Sequence, residues 1–335
     1  MQQTFYDFKA LEILKDKRPL LVCDGSFDLF EIEIPCEFTR FSGFQPNPLY
    51  EEAKAGVKVL RENKCDFIIA VGGGSCIDVA KSIKYYNRAV DINIMAVPTT
   101  SGTGSEATHF AVIYKKGEKY SVADESLLPD YVILQPEMLK TLPLYQKKCT
   151  MLDALCQAIE SWWSKSATPL SVSYSRKAIE MILDNMQGYL KNEDIGNKNM
   201  LIASNYAGKA INITTTTAPH AMSYKLTSLY NLAHGHAVAL CLPKVWRYMK
   251  NFDKLGEIAN AMGKQNSDEA VLYFEQLLEM LEIFPPRDIN ADDIADDLDI
   301  LTNSVNAQRL KNNPARLDKD TIKNLYKDIL EILEV

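Results

Sequence analysis

The sequence predicts a doubly wound α/β domain followed by an all-helical one, and three observations carry that prediction. Short apolar runs alternate with amphipathic stretches in the first half. Two of those runs end in turns of small residues, Gly72-Gly73-Gly74-Ser75 and Pro98-Thr99-Thr100-Ser101-Gly102-Thr103-Gly104-Ser105. Beyond Thr141-Leu142-Pro143, long helical patterns take over with few β-type runs. A strand, small-residue turn, helix, strand pattern is that of a parallel sheet with helices on both faces. The chain has 335 residues, more than a single core comfortably serves, so two domains are expected, 1–145 and 146–335.

Taken in order, Pro19–Cys23 reads as a buried strand ending at Asp24-Gly25-Ser26. Asn47-Pro48 offers a cap and a first helical residue, followed by Ala53, Val57 and Leu60 at helical spacing. Residues 66–71 form an apolar run of the kind covered on both faces. After the glycines, Ile77, Ala80 and Ile83 resume a helical period, and residues 92–97 form the next strand. Residues 151–164, 170–190, 200–211 and 269–281 read as helices. The acidic stretch 288–299 lacks the glycine and alternating spacing of a calcium loop and reads as a solvated helix start.

Composition excludes several classes. Apolar residues make up 47% and charged residues 24%, as in ordinary globular proteins. A net charge of -7 argues against a nucleic-acid partner, which needs a basic face. The start of the chain has no apolar stretch behind a basic flank, and no run is long enough to span a membrane. The seven cysteines have no framework spacing, so reduced thiols and a cytoplasmic location are expected.

Glycines at Gly72-Gly73-Gly74, where a strand meets a helix, let backbone amides and the helix dipole approach a phosphate. Asp78, in the first helical turn, can cap free amides. A tight turn without a ligand is the alternative, since neither a GxGxxG fingerprint nor a GK[ST] loop is present. The second turn, rich in hydroxyls, would frame one crevice with the first if the strands are neighbours.

GGGSCIDVAKSIK (72–84) and VPTTSGTGSEAT (97–108) together resemble the paired cofactor motifs of the iron-containing alcohol dehydrogenase family. Lys119 with Pro129 in LLPD, Met151-Leu152-Asp153-Ala154 and Asn312-Asn313-Pro314 match its pattern too, so that the resemblance spans roughly 15–330. It implies a dehydroquinate-synthase-like nucleotide-binding domain and a helical metal-binding domain. Gly73, Gly74, Ser75 and Asp78 would then hold a pyrophosphate, Thr99, Thr100 and Thr103 would line the nicotinamide, and Lys119 would reach a ribose. Asp24 occupies the position that reads the adenosine ribose. A carboxylate there accepts from a 2′-hydroxyl and repels a 2′-phosphate, which favours NAD(H) over NADP(H). The resemblance also implies a homo-oligomer, a dimer through the edge of the α/β domain.

Three of the four histidines, His220, His234 and His236, lie within seventeen residues. Imidazoles and carboxylates in compact sets hold divalent metals, although structural histidines are the other reading of such a cluster. The resemblance makes Asp153, His220 and His234 ligands of Fe2+ or Zn2+. Gln157, at i+4 from Asp153, stands where most of the family has histidine, and its amide oxygen is a weaker donor. Tyr224 stands where many relatives have another histidine, and can either protonate an alkoxide or pack.

The implied activity is hydride transfer between NAD(P)H and a small aldehyde or alcohol. The segments around Asp153, His220 and His234 look like the phosphonoacetaldehyde reductase subgroup. A dianionic substrate would call for Lys225, His236 and the threonine run 214–217. Against these stand a solvated lysine and a helix-capping threonine run. The alternatives are a generic short-chain alcohol or polyol dehydrogenase, a dehydroquinate-synthase-like lyase, against which four histidines count, and a non-catalytic nucleotide-binding protein.

Overall fold

The computed structural model describes residues 2–88, 91–116, 118–286, 294–305 and 307–331. Its contacts divide the chain into two compact units, Met1–Pro143 with Asn185–Gly208, and Leu144–Asp184 with Lys209–Val335. The sequence expectation of 1–145 and 146–335 differs from this grouping in residues 144–145 and 185–208.

The first unit is built on a six-stranded parallel sheet. Its strands are β1 (Gln3–Phe5), β2 (Pro19–Cys23), β3 (Thr39–Phe41), β4 (Phe67–Gly72), β5 (Asn93–Pro98) and β8 (Tyr131–Ile133), in the order β1-β8-β5-β4-β2-β3. The central strands are apolar and buried at every position except Asn93, the exposed first residue of β5, because both faces are covered. On one face Leu20, Val22, Ile68, Ala70, Ile94 and Ala96 pack with Val57 and Leu60 of α1 (Tyr50–Glu62) and Ile77, Ala80 and Ile83 of α2 (Gly74–Asn87). On the other, Leu21, Ile69, Val71, Met95 and Val97 pack with Leu11, Leu14 and Met138. A hairpin of β6 (Phe110–Lys115) and β7 (Glu118–Ala123) completes the strands.

Two local expectations are corrected. Asn47 does not cap α1: it takes a left-handed conformation at φ 62°, and the helix starts three residues later at Tyr50. Glu52 performs the capping instead, its carboxylate accepting from the backbone amides of Leu49 at 2.7 Å and Gln45 at 3.1 Å. Asp78 does not cap its own helix. Its oxygens accept from Ser105 Oγ at 2.5 Å and the Val112 amide at 3.0 Å, so it braces the second loop.

Residues 185–208 belong with the sheet unit for identifiable reasons. They include the end of α4 (Pro169–Leu190) and the start of α5 (Asp194–Thr214). Ser101 Oγ donates to Tyr189 at 2.8 Å, and Asn205 donates to the buried Glu106 at 3.0 Å. Gly104, at φ 59°, approaches so closely that a Cβ there would lie 2.5 Å from the Gly208 Cα. These are side-chain and backbone matches between segments distant in sequence, which periodicity does not report.

In the second unit all regular elements among the described residues are helices. They are α3 (Leu144–Trp163), the first part of α4, the end of α5, α6 (Ala218–Tyr230), α7 (His234–Tyr248), α8 (Lys254–Ala261), α9 (Ser267–Met280), α10 (Ile294–Ser304), α11 (Ala307–Leu310) and α12 (Lys319–Ile329). Of the acidic stretch, 288–293 lies outside the described residues, and the remainder begins α10. Among the described residues no helix is long and apolar enough to cross a membrane.

Lys81 ties α2 to the second loop. It is fully buried and donates to the Ser105 carbonyl, to Ser105 Oγ at 3.0 Å, to Thr108 Oγ1 at 3.1 Å and to the Phe110 carbonyl at 3.0 Å. Burial pulls its pKa down to about 8, against the opposing pull of Asp78 and Glu106. Lys81→Met leaves two carbonyls without this donor, at about 1–3 kcal/mol each. Thermal unfolding of this variant is expected about 5–10 °C lower than in the wild type, with no comparable loss for the exposed Lys58→Met. Equal melting temperatures for all three proteins would show that the bonds carry no stability.

Candidate metal centre and cofactor loops

In the first unit, the three predicted cofactor segments leave the carboxyl ends of adjacent strands. Asp24 follows β2, Gly73 caps α2 after β4, and Thr99 follows β5. The Thr99 amide donates to the Gly72 carbonyl at 3.1 Å, which locks the second turn to the first. A Cβ on Gly73 would meet Thr100 Cγ2 at 3.3 Å, and one on Gly74 would meet Thr103 Oγ1 at 2.6 Å. The threonine loop itself therefore favours glycine at Gly74, whatever ligand the turn takes, while a Cβ on Gly73 would only press lightly on Thr100. Ser75 lies in the first turn of α2, where its Oγ accepts from the Asn47 amide at 3.4 Å. Lys119, on β7, is close enough to Asp78 to help lower that carboxyl's pKa, although burial outweighs it and raises the group overall. Asp24 accepts from the Ser26 amide at 2.8 Å and from Ser26 Oγ at 2.5 Å, and it lies beside Gly72.

In the second unit, Asp153, His220 and His234 converge. Each offers one ligand atom, and these atoms lie within 4.8 Å of one another. His220 Nε2 is 3.2 Å and His234 Nε2 3.9 Å from Asp153 Oδ1. Helix geometry brings them together. Asp153, Gln157 and Glu160 share one face of α3 at i, i+4 and i+7. His220 stands in the first turn of α6 and His234 begins α7. A left-handed residue, Asn231 at φ 51°, ends α6 and returns the chain after a short link. Gly235 permits the close packing of α7 on α3. A Cβ on it would collide with the Cys149 carbonyl and lie 2.9 Å from Asp153 Cβ.

Glu160, which the sequence reading missed, organises the cluster. It is completely buried, and one oxygen meets His220 Nδ1. The other accepts from the Thr217 amide and Thr217 Oγ1, each at 2.9 Å, and from the His220 amide at 3.4 Å. A carboxylate at the open amides of a helix start is electrostatically favoured. It also holds Nδ1 protonated and turns Nε2 toward Asp153, as an outer carboxylate does for a metal-binding histidine. Its position at i+7 from Asp153 was the available signal.

Electrostatics follows from that arrangement. Burial raises the Asp153 pKa, but hydrogen bonds from His220 and Gln157 and the charge of His234 more than offset it, holding the carboxyl below its ordinary range. Burial opposes charge on His220, yet Glu160 and Asp153 lift its pKa to about 9. One carboxylate and two imidazoles, with their lone pairs converging and a buried outer carboxylate behind them, fit a divalent cation with positions left for substrate. Gln157, the weaker donor expected at i+4, is buried beside Asp153 and hydrogen-bonds it.

The three residues predicted to be catalytic part company. Tyr224 joins the cluster, its ring stacked on His234 at 5.6 Å between centroids and 1° between planes. The Arg309 guanidinium, also missed from sequence, lies 5.4 Å from the same tyrosine ring. His236 is employed elsewhere: Nε2 meets the Phe284 carbonyl at 2.8 Å and Nδ1 meets the Tyr145 hydroxyl at 2.9 Å. With both ring nitrogens bonded, it has none left for a substrate anion. Lys225 lies about 140° around α6 from His220 at 100° per residue, and so faces away from the cluster. Of the threonine run, Thr214 bonds Ser161 at 2.9 Å, and Thr217 serves Glu160.

The family model of iron-containing alcohol dehydrogenases matches residues 8–136, and that of the family's C-terminal region matches residues 148–330. The chain belongs to the iron-containing alcohol dehydrogenase family. Among similar proteins is a 4-hydroxybutyrate dehydrogenase from Clostridium kluyveri, 32% identical over 82% of this chain and 81% of that protein. An iron-containing alcohol dehydrogenase from Thermococcus thioreducens superposes with a TM-score of 0.91 at 24% identity, covering 99% of both chains. A sulfoacetaldehyde reductase from Bifidobacterium kashiwanohense gives 0.87 at 25% identity, covering 99% of this chain and 97% of that one. The protein is accordingly an oxidoreductase of alcohols and aldehydes, with the expected parallel α/β and helical parts.

Two outcomes follow from this geometry. The folded pKa of His220 near 9 lies above its ordinary 6.5. Its contribution to stability in metal-free protein is therefore fully present below pH 6.5 and lost as pH rises through 9. A metal must displace that proton, so affinity should rise about tenfold per pH unit up to pH 9. Metal titrations at several pH values check this, and a flat profile would contradict it. Gly235→Ala should force α7 away from α3 and weaken metal binding at least tenfold, read by metal content after dialysis against chelator; unaltered retention would refute the packing argument.

Proposed function

We propose that this chain reduces a small aldehyde with NADH, holding a divalent cation, Fe2+ or Zn2+, on Asp153, His220 and His234. We further propose that the aldehyde carries an acidic group, as in the phosphonoacetaldehyde reductase subgroup. The observation that carries the first reading is the convergence of three ligand atoms within 4.8 Å, backed by Glu160. When bound, the cation supplies Lewis acidity toward the carbonyl oxygen, and the dinucleotide supplies the hydride.

The chain's own residues do the positioning. Glu160 keeps the proton of His220 on Nδ1, so that the Nε2 lone pair faces the cluster. Asp153 stays ionised because its neighbours depress its pKa. Tyr224, held by its stack on His234, carries an Oη proton for the nascent alkoxide. In the sheet unit, Gly73, Gly74 and Ser75 start α2 with open amides for a pyrophosphate. Thr99, Thr100 and Thr103 and Lys119 line the remainder. Asp24 supports NADH over NADPH, because a 2′-phosphate would meet a carboxylate. The sulfoacetaldehyde reductase was solved with NAD+, and both it and the 4-hydroxybutyrate dehydrogenase are named for compounds bearing an acidic group. Seven free thiols, six of them buried, suit a cytoplasmic enzyme, and a homodimer through the sheet unit's edge is the assembly we favour.

Metal analysis joined to an aldehyde panel with NADH and NADPH tests the reading. Asp153→Asn and His234→Ala are each expected to lose the metal and at least 100-fold in NADH oxidation. Wild-type protein should prefer NADH, and phosphonoacetaldehyde over propanal. Full turnover in both variants would overturn the metal assignment, and a preference for propanal would overturn the acidic-substrate reading.

A further inference from the structure

The site just described has carboxylates at its centre, yet an acidic aldehyde needs a cation at its far end. The structure offers one that lies on none of the motifs that define the cofactor loops or the metal donors. Arg309, on α11, sits over the Tyr224 ring at 5.4 Å, within the range of a cation–π contact. That ring in turn lies flat on His234. The guanidinium is thus one aromatic ring removed from the metal donors.

Its position is built from a second side as well. Arg309 Nη1 donates to Thr216 Oγ1, and Thr216 is buried. The turn that presents Thr216 is strained, since Thr215 is β-branched and yet takes φ 59°. Asn312 holds that turn, its Nδ2 lying 2.6 Å from the Thr214 carbonyl, 3.1 Å from Thr215 Oγ1 and 3.3 Å from the Thr216 carbonyl. A backbone conformation unfavourable for threonine is therefore stabilised where it orients an arginine. The other cationic candidates drop out: His236 has both nitrogens bonded, and Lys225 lies on another face of α6.

We propose that Arg309 selects the substrate by binding the acidic end of the aldehyde, while the carbonyl end lies at Asp153, His220 and His234. This deepens the reading above and rests on it. The ligand class is a short aldehyde ending in a phosphonate, sulfonate or carboxylate, a planar or tetrahedral oxyanion that a guanidinium binds through two N–H groups. Tyr224 forms the wall between the two ends and sets the length that fits. Arg309 is a specificity residue and takes no part in the hydride or proton step.

The test uses metal-loaded full-length enzyme with Arg309→Ala, Arg309→Lys and the wild type. With phosphonoacetaldehyde, Arg309→Ala is expected to lose about 30-fold or more in kcat/KM, chiefly through KM. With propanal it should stay within about threefold of wild type. Arg309→Lys should fall between, because a point charge replaces a planar fork. Sulfoacetaldehyde and a carboxylate-bearing semialdehyde, run alongside, rank the three acids. Equal losses on charged and neutral aldehydes would overturn the inference and leave Arg309 a structural clamp on Tyr224. Unchanged selectivity in Arg309→Ala would overturn it too, with the dehydrogenase reading intact. A second measurement is independent of turnover: phosphonoacetate binding to the same proteins by calorimetry, expected at least tenfold weaker in Arg309→Ala. Absence of turnover on every aldehyde by the wild type would sink the dehydrogenase reading, and calorimetry would then decide Arg309 alone.

Discussion

The cluster of Asp153, His220 and His234 depends on one buried carboxylate. Glu160 has no exposure to solvent, and an ionised group there is tolerable only if several donors surround it. It finds them at the start of α6, in two backbone amides, a threonine hydroxyl and an imidazole. The same bonds that make its burial possible fix the start of the helix and the rotation of the His220 ring. A change at Glu160 would thus disturb fold and chemistry together. Trp163 reinforces the arrangement, since its indole donates to Thr217 Oγ1 at 2.8 Å.

Close backbone approach is the second constraint, and it recurs in both units. In the sheet unit the glycine turn and the threonine loop touch where Gly73 and Gly74 have no side chain. In the helical unit Gly235 lets α7 lie against α3, so that His234 reaches toward Asp153. Buried polar braces accompany these contacts. Lys81 and Asp78 hold the segment 105–112 from α2.

Much of this was legible in the sequence. Apolar runs located β2, β4 and β5 to within a residue, because strands buried on both faces carry an unbroken signal. Asp153, His220 and His234 were readable because their types and spacing match a family pattern. Arg309 and Tyr145 were not, since each acts through a partner remote in sequence, and no local period encodes such a pairing; Glu160 offered only its place at i+7 from Asp153 on α3. His236 misled for the same reason. A histidine next to two metal-ligand candidates looks reactive until its bonds to Tyr145 and Phe284 are seen. The start of α1 was misplaced because Asn47 favours both a cap and a left-handed turn, and tertiary contacts chose the latter.

The chain passes from one compact unit to the other at three places, after Pro143, Asp184 and Gly208. Neither unit is a contiguous gene segment. A recombination event with a single breakpoint near residue 145 would inherit Ser101, Glu106 and Gly104 but leave behind Tyr189, Asn205 and Gly208, to which they are matched. The sheet and helical portions of such a protein can diversify by substitution in place, yet resist being swapped wholesale between lineages. The returning helical tip is what makes the two halves a shared inheritance.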